Sequence, residues 1–518
     1  MPRLLMVGLD AAERTLVRRW TASGYLPNLA RLSSRSGIHD LASPALQFPD
    51  QVWPTVYLSR SAANLNRYYY IRLQPGEWRL EIVGDDLAGT PFWVEASRHG
   101  RFSVVVDAPK TALSPPFNGR QIACWGSHAS HAKTASHPPE LLDDVVARHG
   151  RYPLHSCDAH GESPHEYRLL RDQLLAGVAA REKLLVEMVR QPDWELFFSG
   201  FSETHCAGHH FWHFQDENHP RHDPSDRHGL KNAMRDIYQA VDRAIGTLIE
   251  AAGPGVEVLI FTGHGMGPQY HGRELMPSLL AMWGMLEPRN IQPGSRPERT
   301  IKAKKGLLKR LRDTVPMPLQ YAVKRVLPEA IEKKLICRFM GTGDLNPEAR
   351  AVYVPNNDLN SAIRINLKGR DKFGKVAPGA EYDELCAFLT ARFAELINPA
   401  TGRPAVDTVT KIRDEFDGKY VDELPDLTIF WNNEHSIDAV HSPGYGTVLG
   451  SHNDPRSGGH TTKGFLIPPA GTSADFDLAS PDVKDLAPTA LSILGVPVPA
   501  GMEGRSLLQA SFNHSGAA

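Results

Sequence analysis

Four short runs of apolar residues punctuate the chain: "RLLMVGLD" ending at Asp10, "FSVVVDAP" ending at Pro109, "WELFFSGFSE" ending at Glu203 and "VEVLIFTGHG" ending at Gly265. They are bounded by turn-forming residues and separated by stretches of helical spacing, notably Pro164 to Gln191 and Leu230 to Ala252. Runs apolar at nearly every position predict strands buried on both faces. Their alternation with helices predicts an α/β fold built on a mostly parallel sheet. Sites in such sheets lie beyond the carboxyl ends of the strands. The polar residues that close these runs are therefore expected to meet in space, although they are far apart in sequence.

The texture changes between Gln292 and Met340. Residues 302–338 hold eleven Lys or Arg against three Asp or Glu, with apolar residues at roughly helical spacing. A solvated face on an inserted helical pair is the plain reading, and peripheral contact with anionic lipid or an acidic substrate is the alternative. A polar stretch with strand-like pieces follows, "AVYVPNNDLNSAIRINLKGRD", then the helix-like "EYDELCAFLTARFAEL". A long Pro- and Gly-rich loop from His441 to Gly464 carries further histidines. The division expected is a core of residues 1–290 and 425–518, with 291–424 inserted as a basic helical and α+β cap.

Composition narrows the function classes. A formal net charge of -2 over 518 residues gives no reason to expect nucleic acid. Five cysteines without paired spacing argue against a disulfide framework and fit a reducing cytoplasm. The opening "MPRLLMVGLDAAE" lacks a signal-peptide core, and no stretch approaches the ~20 apolar residues of a membrane span. A cytoplasmic protein acting on an anionic small molecule is the expectation.

The segment "FSETHCAGHHFWHF" holds His205, His209, His210 and His213. A helix starting near Ser202 puts His205, His209 and His213 on one face, where neighbouring imidazoles converge on a single point. The alternatives are binding a metal or simply packing.

Several stretches together resemble the type I phosphodiesterase/nucleotide pyrophosphatase branch of the alkaline phosphatase superfamily. "VGLDAAERTLVRRWTASGYLPNLARLSSRSG" resembles its first strand, metal-binding Asp and following helix. "FSETHCAGHHFW" resembles its Asp-x-x-x-His element, and "FTGHGMGP" its Ser-Asp-His-Gly-x-Gly element. "SGGHTTKGFLI" resembles its late metal-binding histidine, and "DLAPTALSILGVPVPAGMEGRSL" its closing helix and tail. The resemblance implies an alkaline-phosphatase-like sheet flanked by helices. It also implies two divalent ions, usually zinc, beside a Thr or Ser nucleophile that forms a covalent intermediate. Asp10, His209, His264 and His460 match the family's metal-binding positions.

Three departures shape the chemistry. His205 stands where the family has Asp, and Gly263 where it has a second Asp. In "ALQFPDQVWPTVYLSRSAANLNRYYY", aligned on Trp53, the nucleophile falls near Pro49. A shift of one or two residues offers Asp50 or Gln51, and Thr55 is the nearest hydroxyl. Two ions bring a charge of about +4, and Asp10 alone of the usual carboxylates remains unless Asp50 or Glu203 enters. The expectation is one zinc on His205, His209 and His460, whose open position lowers the pKa of bound water. Asp10 and His264 then act as an acid–base pair or hold a weak second ion, with Gln51 and Thr55 as further catalytic candidates.

The function expected is a metal-dependent hydrolase of a phosphate ester, phosphodiester or nucleotide-linked substrate. A non-hydrolytic group-transfer enzyme, or an inactive binding relative, is the alternative. His210 and His213 are expected to pack or hydrogen-bond. Asp107 reads as a turn cap or a site residue. Tyr68, Tyr69 and Tyr70 with Arg67, and His452 with Arg456, read as packing or solvated groups or as contacts for an anion.

Overall fold

All four apolar runs form strands, Arg3–Leu9, Ser103–Val106, Leu196–Phe201 and Val256–Thr262, and they lie side by side. The computed structural model describes residues 2–84, 87–126, 132–154, 156–159, 162–286, 298–302, 315, 345–357, 359–450, 455–470 and 475–509. In space the four run in the order Val256–Thr262, Arg3–Leu9, Leu196–Phe201, Ser103–Val106, each parallel to its neighbour. Gly119–Ala123 adds a further parallel strand, and antiparallel Ala135–His137 ends that side. On the other side Gly464–Ile467 pairs antiparallel with Val256–Thr262 and with the edge strand His39–Leu41. The result is an eight-stranded mixed sheet.

Register brings the expected residues level. Leu9 pairs with Phe201 and Gly8 with Phe261, so Asp10, Ser202 and Gly263 leave the sheet in one row. Ala11 takes a left-handed φ of 51°, turning the chain sharply after Asp10. That conformation costs a non-glycine residue roughly 1–2 kcal/mol and is retained where the surroundings demand it.

Both faces of the sheet are covered, as continuous apolar strands require. Helices Pro164–Val189, Glu203–Gln215 and Ala233–Ala252 bury one face through Leu174, Leu185, Phe211, Ile237 and Ile245. Ser163 caps the first of these, with Pro164 at its opening position. An aromatic cluster of Trp53, Tyr57, Trp93, Phe198 and Phe261 fills the other face. Burial is worth about 1.5–3 kcal/mol for each large apolar side chain, so the site stands on rigid ground.

Two smaller sheets follow. One orders Ala351–Val354, Asn360–Ile365, Leu427–Trp431 and Val406–Lys411; the other includes Arg299–Lys302, Ala439–Ser442 and Gly446–Leu449. With helix Ala380–Ala394 they share a separate apolar core. The Asn-rich turn of this region stitches it to the main body. Asn356 donates to the Gln47 carbonyl at 2.8 Å, and Asn360 to the Leu46 carbonyl at 2.7 Å. The basic stretch 302–338 lies outside the described residues, apart from Lys302 and Val315.

Candidate metal centre and active site

The predicted histidine helix runs from Glu203 to Gln215 and directs two of its rings at a strand from the far end of the chain. That strand, Gly458–Thr461, carries His460. Close approach depends on glycine at both surfaces. A methyl group at Gly458 would overlap the Gly208 carbonyl, and one at Gly208 would meet Met266 at 2.5 Å. With neither methyl present, helix backbone and strand backbone touch.

His205, His209 and His460 converge, with one nitrogen of each within 4.8 Å of the others. His205 Nε2 lies 3.2 Å from His209 Nε2 and 2.8 Å from His460 Nε2. The opposite nitrogens of His209 and His460 are engaged elsewhere. His209 Nδ1 meets the Gly458 carbonyl oxygen at 2.6 Å, and His460 Nδ1 meets Asn357 Oδ1 at 3.2 Å. A carbonyl oxygen can only accept, so His209 donates from Nδ1 and its Nε2 presents a lone pair to the centre. That lone pair is met by a ring N–H of a neighbouring imidazole in the metal-free state, or by a cation. Tetrahedral zinc with ~2.0–2.1 Å bonds sets imidazole nitrogens roughly 3.3 Å apart, near the 3.2 Å between His205 and His209 and wider than the 2.8 Å between His205 and His460. The three residues therefore fit a divalent ion, and the bonds to Gly458 and Asn357 are the outer support that ligating histidines require.

Asp10 and His264 stand on the other side of His460. The His264 ring packs edge-on against His460 with centroids 4.6 Å apart, and its Nε2 is 4.0 Å from Asp10 Oδ1. Trp53 Nε1 donates to the same carboxylate oxygen at 2.8 Å. Burial raises the Asp10 pKa to about 7, against the Trp53 hydrogen bond and the charge of Lys110. Burial, with His460 and Lys110 nearby, holds the His264 imidazole well below its ordinary value. His264 is thus neutral near pH 7, and its Nδ1 makes no hydrogen bond among the described residues.

The family's missing second carboxylate has a visible counterpart. Any side chain at Gly263 would run into Val52, with Val483 beyond it at 3.2 Å. An apolar residue occupies the space where a carboxylate would project, which removes a ligand and leaves hydrocarbon in its place.

The nucleophile candidates sit just before and within helix Val52–Leu58. Gln51 is fully buried, and its amide makes no hydrogen bond among the described residues. Thr55 donates to the Arg60 carbonyl at 3.1 Å, so its proton is already committed away from the imidazoles. Asp50 pairs with Lys110 at 2.9 Å and, more loosely, with Arg67 at 3.8 Å.

Other acidic candidates serve the framework. Asp107 accepts from the backbone of Trp125 and Gly126 and pairs with Arg181 at 2.6 Å. Glu203 accepts from Arg181 at 3.0 Å and from the Tyr152 hydroxyl at 2.7 Å. The buried Arg181 guanidinium holds both carboxylates. His213 packs on Tyr167 and Phe214 and meets Ser457 Oγ at 2.9 Å. Tyr68 packs on Phe48, while Lys110 lies 5.8 Å from the Tyr70 ring centre. Arg456 forms two bonds to Asp158; His452 lies outside the described residues.

Sequence reasoning did not find Lys110, Asn357 or the role of Trp53. Asn357 belongs to the stretch read as polar with strand-like pieces, and the adjacent Asn356 was the available signal.

The model of one family, type I phosphodiesterase/nucleotide pyrophosphatase, matches residues 4–444. The chain belongs to that family. It is therefore a hydrolase of the phosphodiesterase/phosphatase type, acting on phosphoesters or phosphodiesters, in a family whose members depend on divalent metal ions, typically zinc. Phosphonoacetate hydrolase from Sinorhizobium meliloti, solved with phosphonoformate, matches at 14% identity and TM-score 0.51, covering 95% of this chain and 96% of that one. Its complex with phosphonoacetate matches at 13% identity and TM-score 0.50, with the same coverage. Murine ectonucleotide pyrophosphatase/phosphodiesterase 5 with AMP matches at 13% identity and TM-score 0.45, covering 96% of each chain. The two likenesses to phosphonoacetate hydrolase show the fold. No curated protein matches the chain. Among the described residues no helix is long and apolar enough to cross a membrane.

Proposed function

We propose that this family member hydrolyses a small anionic phosphate ester or phosphodiester with a single divalent ion, zinc by its ligand set, held by His205, His209 and His460. The convergence of the three Nε2 atoms carries the proposal. An ion bound there supplies Lewis acidity toward a phosphoryl oxygen and acidifies a water molecule. The replacement of a carboxylate position by Gly263, filled by Val52, supports one principal ion rather than two.

The protein's own groups complete the chemistry. His264, neutral and with Nδ1 open, accepts a proton from the attacking water or returns one to the leaving group. Asp10, fixed by Trp53, steadies the charge that His264 gains. Lys110 offers positive charge to the phosphoryl oxygens from beside Asp50. With Thr55 bonded to Arg60, direct attack by water is favoured over a covalent intermediate. Gln51, whose buried side-chain amide makes no hydrogen bond among the described residues, is the remaining polar group of this turn and positions substrate or water.

The smaller sheets form the cap over this site. In this reading the cap runs to Leu449 rather than ending at 424, because strands as late as Gly446–Leu449 pair within them. A cytoplasmic location also belongs to the reading, supported by five cysteines without paired spacing.

The test combines metal analysis with a panel of aryl phosphodiester, phosphomonoester and phosphonate substrates. Wild type should hydrolyse at least one. His209→Ala should lose one equivalent of zinc and that activity together; full activity after the substitution overturns the reading.

A further inference from the structure

The helix that supplies His205 and His209 presents a second set of donors on another face. Cys206 and His210 are one turn apart and both buried. Opposite them the short turn Cys157–Ala159 brings Cys157 and Asp158. One donor atom each from Cys157, Asp158 and His210 lies within 4.8 Å of the others. None of these is among the imidazole ligands proposed above.

The spacing is that of ligands around an ion. His210 Nε2 is 3.4 Å from Asp158 Oδ1, beyond the usual length of a hydrogen bond. Tetrahedral zinc with ~2.0–2.2 Å bonds to nitrogen and oxygen separates those ligands by roughly 3.4 Å. His210 is 4% exposed, so the ring nitrogen that meets Cys157 and Asp158 is buried within the cluster.

Charge and outer support agree with this. A thiolate at Cys157 and the Asp158 carboxylate together neutralise a divalent ion, which the imidazole centre cannot do. Arg456 grips Asp158 through Nε at 3.0 Å and Nη2 at 2.7 Å, orienting the carboxylate as outer-shell partners orient metal ligands. The Cys206 thiol, hydrogen-bonded to Cys157, lies alongside as an outer partner of that sulfur. A mixed set of sulfur, imidazole and carboxylate suits zinc over magnesium or calcium.

We propose that Cys157, Asp158 and His210 form a second, structural zinc site, distinct from the imidazole centre and independent of the hydrolytic reading. It ties the Cys157–Ala159 turn to the histidine helix and, through Arg456, to the segment that carries His460.

Cobalt(II) titration of metal-free protein, kept reduced with a phosphine, separates the two centres. Only a thiolate ligand produces a near-ultraviolet sulfur-to-cobalt charge-transfer band, and the imidazole centre has none. Wild type should show the band and bind two equivalents. Cys157→Ser and His210→Ala should each abolish the band and one equivalent, weakening that site by more than ~100-fold. His209→Ala should keep the band and lose the other equivalent. Absence of the band in wild type, a measurement that needs no variant to fold, overturns the proposal. So does its persistence in either Cys157→Ser or His210→Ala. Failure of the imidazole centre alone would leave the band intact.

Discussion

His209 Nδ1 and the Gly458 carbonyl oxygen meet at 2.6 Å, joining a helix to a strand 249 residues further along the chain. The contact selects the tautomer that points Nε2 at His205. It exists because Gly208 and Gly458 let the two backbones touch. Gly458→Ala should push the strand off the helix and lower zinc affinity at the imidazole centre roughly 10–100-fold. Competition against a chromophoric chelator measures this.

Val52 and Gly263 should behave as a coupled pair. Gly263→Asp alone overpacks the site and should cost about 1–3 kcal/mol or more. Val52→Ala opens space for the new side chain, so the double variant should be more stable than the sum of the single effects by about 1 kcal/mol. A double-mutant cycle in urea gives the coupling, and strict additivity would mean that the two positions do not share space.

His264 is expected to move protons without holding the ion of the imidazole centre. His264→Gln should lower kcat by roughly 10²–10⁴ while zinc content stays at the wild-type level. Loss of zinc in this variant would make His264 a ligand instead.

These expectations show which parts of the molecule could be read from its sequence. Strands ending at Leu9, Val106, Phe201 and Thr262 were legible because strands buried on both faces are apolar at successive positions. His205 and His209 were legible as a pair because one helical turn separates them. His460 entered only through family resemblance, and Asn357 not at all, since its contact with His460 depends on how a distant turn folds over the sheet. Asp107 and Glu203 close their strands just as Asp10 does. What distinguishes them is Arg181, buried between the two carboxylates and supplied by a helix whose facing is not written in local spacing.

Arg181 itself yields a stability prediction. Asp107, Glu203 and Arg181 have fully buried side chains, and Arg181→Met would leave two carboxylates without their cation. The loss should be about 3–5 kcal/mol. Chemical denaturation measures it, and a change below 1 kcal/mol would mean that the carboxylates find other partners.

His213 should set part of the acid sensitivity. Burial, with Arg221 nearby, lowers its pKa from 6.5 to about 3. The unfolded chain therefore takes up a proton that the folded protein refuses. This contribution is fully present above pH 6.5 and is lost as pH falls toward 3, at about 1.4 kcal/mol per unit inside the window. His213→Gln should flatten the stability profile between pH 6 and pH 4 relative to wild type. Parallel profiles would place the acid-labile group elsewhere.

Helix Glu203–Gln215 works like a shared axle. His205 and His209 project from one side of it, Cys206 and His210 from another, and Arg456 leads from Asp158 back along the chain to His460. A small rotation of this one cylinder would misalign both donor sets at once. Each centre, once filled, would thereby help hold the cylinder that carries the other, while binding its own ion independently.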